Sequence, residues 1–200
     1  MSTVIELLQD TRQRLLDAAC EAFREEGYKV SIDRLAARAH VARQTVYNHF
    51  PSKDALFAEV VRHAIQSVLV TLDRGGDVRA TLLAFSEAYR EKILSSDGIA
   101  IFRTLTAEAP RFPALAKQFF RQGPQTTRKR LAEYLARAME EGQLRRDDPD
   151  FAAEMLAAML GDFDRLRGLM NLQTDLLKST KAVQVVDCFL RAFAPEKDKP

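Results

Sequence analysis

Between residues 43 and 50 the chain reads Arg-Gln-Thr-Val-Tyr-Asn-His-Phe. Val46 and Phe50 are four apart, so a helix here would fix one face in a core. Arg43, Gln44, Thr45, Asn48 and His49 then point elsewhere. An ordinary surface helix is filled with Glu, Lys and Ala. This one concentrates side chains that can read base edges: Arg for guanine, Gln and Asn for adenine, Thr for a thymine methyl. Ser31, Tyr47 and Lys53 flank it and are placed to reach phosphates. Lys53 also lies at a helix start, where free N–H groups favour an anion. On composition alone the same side chains fit a solvated surface helix, and Tyr47 also fits a half-buried packing role.

The distribution of charge favours the first reading. The whole chain has 200 residues with 30 Lys+Arg against 28 Asp+Glu, a net charge of +2. Residues 31–53 hold Arg34, Arg38, Arg43 and Lys53 against Asp33, a local charge of +3. Residues 1–30 hold Arg12, Arg14, Arg24 and Lys29 against Glu6, Asp10, Asp17, Glu21, Glu25 and Glu26, a charge of −2. A basic segment is thus expected inside a near-neutral protein, which excludes a uniformly cationic coat but not a small DNA-reading face.

The segment needs elements to position it, and these are helical. Thr11 to Glu26 has an apolar face of Leu15, Leu16, Ala19, Ala22 and Phe23, closed by Gly27 as a left-handed cap. Ile32, Leu35, Ala36 and Ala39 mark a short helix with Ser31 as N-cap. His40-Val41-Ala42 leaves room only for a sharp helix–turn–helix into Arg43–His49. Further helices are predicted over about 53–72, 78–94, 99–107, 114–141 with an interruption at Gly123-Pro124, 149–170 and 180–193. Asp77 and Asp148 serve as N-caps, and the tail from Pro195 to Pro200 reads as frayed. The expectation is an all-α chain of about nine helices. A helix-turn-helix domain would occupy residues 1–53 and a helical domain residues 54–200.

Other classes find less support. Hydrophobic residues make up 46% and charged residues 29%, a globular rather than disordered composition. No apolar run approaches 18 residues, so no membrane span is expected. Cys20 and Cys188 sit among apolar neighbours and read as small buried hydrophobes. With no CxxC and no signal peptide, a reducing, cytoplasmic setting is expected. His40, His49 and His63 lack metal-ligand spacing, and no catalytic acid–base pair or triad can be placed. No metal, cofactor or enzymatic activity is therefore expected.

The stretch SIDRLAARAHVARQTVYNHFPSKDALFAEVV resembles the DNA-binding domain of the TetR family of transcriptional regulators. Val46, Tyr47, Phe50, Lys53 and Leu56 match the family's apolar-Tyr-x-x-Phe-x-x-Lys-x-x-Leu signature. The chain departs from the family in having His40 where Gly is frequent and Ala42 where Ser or Thr is frequent. A left-handed His40 would be strained but tolerable. The resemblance implies a ligand-responsive regulator, most simply a repressor released from a palindromic DNA operator by a small, largely apolar effector. It also implies that Phe85, Tyr89, Phe102, Phe119, Phe120 and Tyr134 lie on helices around an effector pocket, although aromatics at helical spacing are more often core.

Two C-terminal stripes add a homodimer. Met155, Met159, Phe163, Leu166 and Met170 line one face of the 149–170 helix, and Ala152, Leu156 and Leu160 line another. Val183, Val186 and Leu190 line the last helix, which carries Val185 and Phe189 on a second face. Apolar residues on both faces need two partners. A four-helix interface between two copies is expected, with Ala157, Ala158 and Gly161 permitting close approach.

Overall fold

The computed structural model describes residues 2–73, 75–172 and 179–195. Ten α-helices run through them: α1 (Ser2–Glu26), α2 (Ile32–Arg38), α3 (Arg43–His49), α4 (Lys53–Leu69), α5 (Val78–Leu94), α6 (Ser96–Glu108), α7 (Pro113–Phe120), α8 (Thr126–Glu140), α9 (Pro149–Leu169) and α10 (Ser179–Ala192). No strand occurs among the described residues. The interruption expected at Gly123-Pro124 is a π turn, Arg121–Gln125, between α7 and α8. Proline lacks the N–H that a regular helix needs, and one wide turn absorbs the deficit without ending the helical path. The residues beyond Pro195 lie outside those described.

Local chemistry sets the helix ends. Ser31, Asp77 and Asp148 each accept a backbone N–H in the first turn, from Arg34, Ala80, and both Asp150 and Phe151. Gly27 and Gly142 take φ of +68° and +72° where α1 and α8 end, a conformation that L side chains resist. Gly98 has a different reason. A Cβ there would lie 2.3 Å from the Lys92 carbonyl oxygen, so only glycine lets α6 start against the end of α5. That close start also lengthens α6 to Ser96 from the expected residue 99. The first helix likewise begins well before the expected Thr11.

Two compact units divide the chain differently from the expected boundary at residue 53. One comprises residues 1–63 and 100–122, the other residues 64–99 and 123–200. The core explains the first. Leu56, Phe57, Val60 and Val61 of α4 are buried with Leu15, Leu35, Val46 and Phe50, and Leu105 of α6 and Leu115 of α7 join them. Lys29 pairs with Glu108 at 3.3 Å, and the Tyr28 ring meets Phe112. Most of α6 and all of α7 are thus part of the unit that carries the helix-turn-helix. In the second unit α5 packs on α9 and α10, and α8 on α9. Its core includes Leu82, Phe85, Leu131, Leu135, Leu156, Leu160 and Phe189.

Three expectations are corrected here. Val186 is 0% exposed and belongs to the core of its own subunit, so it is unavailable to a second copy. Gly161 is also buried, and its missing Cβ makes room for Ile93, 2.3 Å from where that atom would be. Its smallness serves packing of α9 on α5 within one chain. Cys20 and Cys188 are exposed rather than buried, because each falls on the solvent side of its amphipathic helix. In addition, Lys53–Asp73 is long and apolar enough to cross a membrane by length and composition, but 56% of that window is buried in the protein. It has the character of a core helix.

Candidate nucleic-acid interface

The helix-turn-helix is built by local rules. Ser31 Oγ accepts the Arg34 N–H at 3.2 Å and starts α2. His40 takes φ +54°, and the Val41 N–H reaches back to the Ala36 carbonyl at 3.0 Å, closing the turn. This is the left-handed geometry that glycine adopts most readily, here imposed on a histidine. Ala42 stands at the N-cap of α3 with extended backbone and no side-chain cap bond. Helix α3 is therefore held by its anchors, since Val46 and Phe50 are fully buried among the α1, α2 and α4 side chains.

Around those anchors Arg43, Gln44, Tyr47 and Asn48 are exposed, while Thr45 and His49 are half-buried. The four exposed positions form a contiguous face, because α3 turns through 100° per residue. Their polar groups are not idle. Arg43 Nη1 donates to both carboxylate oxygens of Asp33, at 3.0 and 2.9 Å, and the guanidinium lies 5.7 Å from the Tyr47 ring centre. Hydrogen bonding with Tyr47, then with Asp33, raises the Arg43 pKa above its ordinary value. Gln44 Nε2 donates to Asn48 Oδ1 at 3.1 Å, one turn along the same face.

The basic segment is more nearly neutral in space than in sequence. Arg34 pairs with Glu26 at 2.9 Å, and Arg38 hydrogen-bonds Glu25. Acids that the sequence places in the preceding segment thus fold back onto the cations of α2. Lys53 turns inward: its ammonium donates to the Tyr28 carbonyl and lies 4.2 Å from the Tyr28 ring centre. Burial pulls its pKa below the usual lysine value. The Tyr28 hydroxyl hydrogen-bonds Asp54, and Gln118 of α7 donates to the Asp54 carbonyl at 3.0 Å. Sequence reasoning missed this last contact because it joins residues 64 positions apart.

The aromatic set does not gather in one core. Phe85 and Tyr89 stack at 5.6 Å in the second unit, where Tyr134 is also buried. Burial raises the Tyr89 and Tyr134 phenol pKa values. Phe119 packs against the core of the first unit, Phe102 is half-buried, and Phe120 is 58% exposed. On α9, Met155 and Met159 are half-buried, while Phe163 and Leu166 stand out, Phe163 at 64% exposure. Val183 and Leu190 of α10 are half-buried.

Residues 15–60 match the family described as bacterial regulatory proteins of the tetR family, and residues 80–195 match the AefR-like transcriptional repressor C-terminal domain. The chain belongs to the TetR family. No curated relative matches its sequence. Similar solved structures agree on the fold. The flavonoid-responsive regulator FrrA is 28% identical, with a TM-score of 0.70, over 94% of this chain and 100% of that one. A TetR-family regulator from Pseudomonas syringae pv. tomato is 26% identical, with a TM-score of 0.63, over 90% and 95%. A Mesorhizobium loti TetR-family regulator has a TM-score of 0.74 at 24% identity, over 93% and 98%. The chain is accordingly a DNA-binding transcriptional regulator, and TetR-family regulators are not enzymes.

Proposed function

We propose that this TetR-family regulator is a cytoplasmic homodimeric repressor that leaves a palindromic operator when a small, largely apolar effector binds. The observation that carries the reading is the α3 face, where Arg43, Gln44, Tyr47 and Asn48 are exposed around the buried Val46. In this reading Arg43, Gln44, Thr45, Asn48 and His49 read bases. Ser31, Tyr47 and Lys53 hold phosphates, and Lys53 must swing off the Tyr28 carbonyl to do so. The Gln44–Asn48 pair would open or share its outer groups with an adenine, which takes a bidentate amide contact.

A second copy would cover Phe163 and Leu166, with Met155, Met159, Val183 and Leu190 at the edges. The exposure of Phe163 and Leu166 on α9 supports an isologous interface. For the effector, Phe85, Tyr89 and Tyr134 supply aromatic surface with phenol groups that can orient a ligand. The name of FrrA supports trying planar phenolic compounds first. The effector must bind the DNA-free conformation more tightly, or it shifts nothing.

The test is selection of bound duplexes from a random pool, with light scattering on the same sample. The expected outcome is an inverted repeat whose half-sites lie about 34–36 Å apart or slightly more, and a dimer mass. Phe163→Glu should give monomers. A sequence without two-fold symmetry, or an unchanged mass in that variant, would sink the dimeric reading.

A further inference from the structure

We infer that Asp33 is a positioning residue that aims Arg43 at a guanine. The inference rests on the base-reading role of Arg43 and goes beyond it. Both carboxylate oxygens of Asp33 take the same nitrogen, Nη1, at 3.0 and 2.9 Å. The Nε–Nη2 edge of the guanidinium is not used by Asp33. That edge carries two parallel N–H groups, the arrangement that matches O6 and N7 of guanine. The guanidinium carbon also lies 5.7 Å from the Tyr47 ring centre. A long, flexible side chain is thereby held through Nη1 and set beside a ring, and Asp33 does not occupy the edge that would meet a base.

The pair also sits where it can be used. The Arg43 and Asp33 side chains are 59% and 63% exposed, so neither is locked in a core. Asp33 lies in the first turn of α2 and Arg43 opens α3, so the bond ties the two helices of the motif across their turn. Fixing an arginine before contact removes rotamer freedom that would otherwise be lost on binding. It also withholds Nη1 from phosphates, which favours base contact over sequence-independent contact. When DNA displaces water from this face, the lower dielectric strengthens the pair. A plain competitor for Arg43 would behave oppositely, since its removal would tighten operator binding without blunting base choice.

The experiment uses the full-length protein and duplexes selected by the wild type, with single guanine replacements, at fixed salt. Asp33→Asn removes the charge and keeps the shape. Asp17→Asn removes an equal charge on α1, where the partner is Gln13 rather than Arg43, and reports the effect of net charge alone. The expected result is that Asp33→Asn lowers discrimination at one guanine per half-site by at least about threefold, as coupled neighbours do. Asp17→Asn leaves discrimination unchanged. In a double-mutant cycle, Asp33→Asn should add nothing to Arg43→Ala at that guanine. Unchanged or sharper discrimination in Asp33→Asn, or losses that add fully in the cycle, would overturn the inference. If Arg43→Ala keeps discrimination at every position, the base-reading role itself fails. If Arg43→Ala loses a guanine and Asp33→Asn does not, only the role of Asp33 fails.

Discussion

Arg43 and Asp33 meet at 2.9 Å on the helix-turn-helix unit, with side chains 59% and 63% exposed. Arg90 and Asp164 meet at 3.0 Å inside the second unit, with side chains 4% and 7% exposed. The lengths are nearly equal and the residue types are the same, so what separates the two pairs is burial and the further partners that burial brings. On the surface, water screens the attraction, and neither partner is left as a buried, uncompensated charge if the other leaves. Inside, Asp164 also accepts from Lys181 at 2.6 Å, and Arg90 donates to the Leu160 carbonyl as well. Those extra bonds tie α5, α9 and α10 together, and losing one partner strands a charge away from water. The same chemistry is a movable contact in one unit and a fixed joint in the other.

The sharpest way to break this contrast is Asp164→Ala. It should lower stability by about 3–5 kcal/mol in urea unfolding, because it leaves Arg90 buried without its carboxylate. A loss under 1 kcal/mol would show that the buried cluster is not a joint. Acid should act on the same joint. Burial works to raise the Asp164 pKa, but hydrogen bonds from Lys181 and Arg90 outweigh it and leave it below the ordinary value. A lowered folded-state pKa stabilises fully above the unfolded value of about 3.9, and that part is lost as pH falls through the folded value. Asp164→Asn should therefore flatten the dependence of stability on pH below about 4. An equally steep acid limb in that variant would place the sensitivity elsewhere.

A smaller effect is expected from Ser31→Ala. Ser31 is exposed like Asp33, yet its hydroxyl satisfies a backbone donor of α2. Thermal unfolding should report a loss of about 0.5–2 kcal/mol. The smallest effect belongs to Asp33→Ala, which should leave the melting temperature close to that of the wild type. A clear drop there would make the surface pair a joint too, and the comparison would collapse.

Much of this architecture was legible from short-range signals. Ser31, Asp77 and Asp148 are caps recognisable by residue type, and Gly27, His40 and Gly142 mark turns through the backbone they require. The anchors Val46 and Phe50 follow from spacing alone. What spacing does not reveal is which face of an apolar helix its own chain will cover. Val186 and Gly161 therefore read as interface residues although they pack inside the subunit. Pairings over long separations were equally hidden. Arg90 and Asp164 are 74 residues apart, and α6–α7 joins the first unit through Leu105 and Leu115. Local charge was legible as a sum but not as geometry, since Glu25 and Glu26 return from α1 to pair with Arg38 and Arg34.

In the proposed reading, the exposed face of α3 reads base edges while its flanks hold the backbone. Equilibrium binding of Arg43→Ala and Lys53→Ala to the selected operator, to its guanine-substituted forms and to unrelated duplex tests it most directly. Arg43→Ala is expected to weaken operator binding by about five- to hundredfold and to lose preference at one guanine per half-site. Lys53→Ala should weaken every duplex alike and lower the salt dependence by about one released ion. If both variants weaken all sequences by the same factor, Arg43 is a phosphate contact and α3 does not read the operator as described.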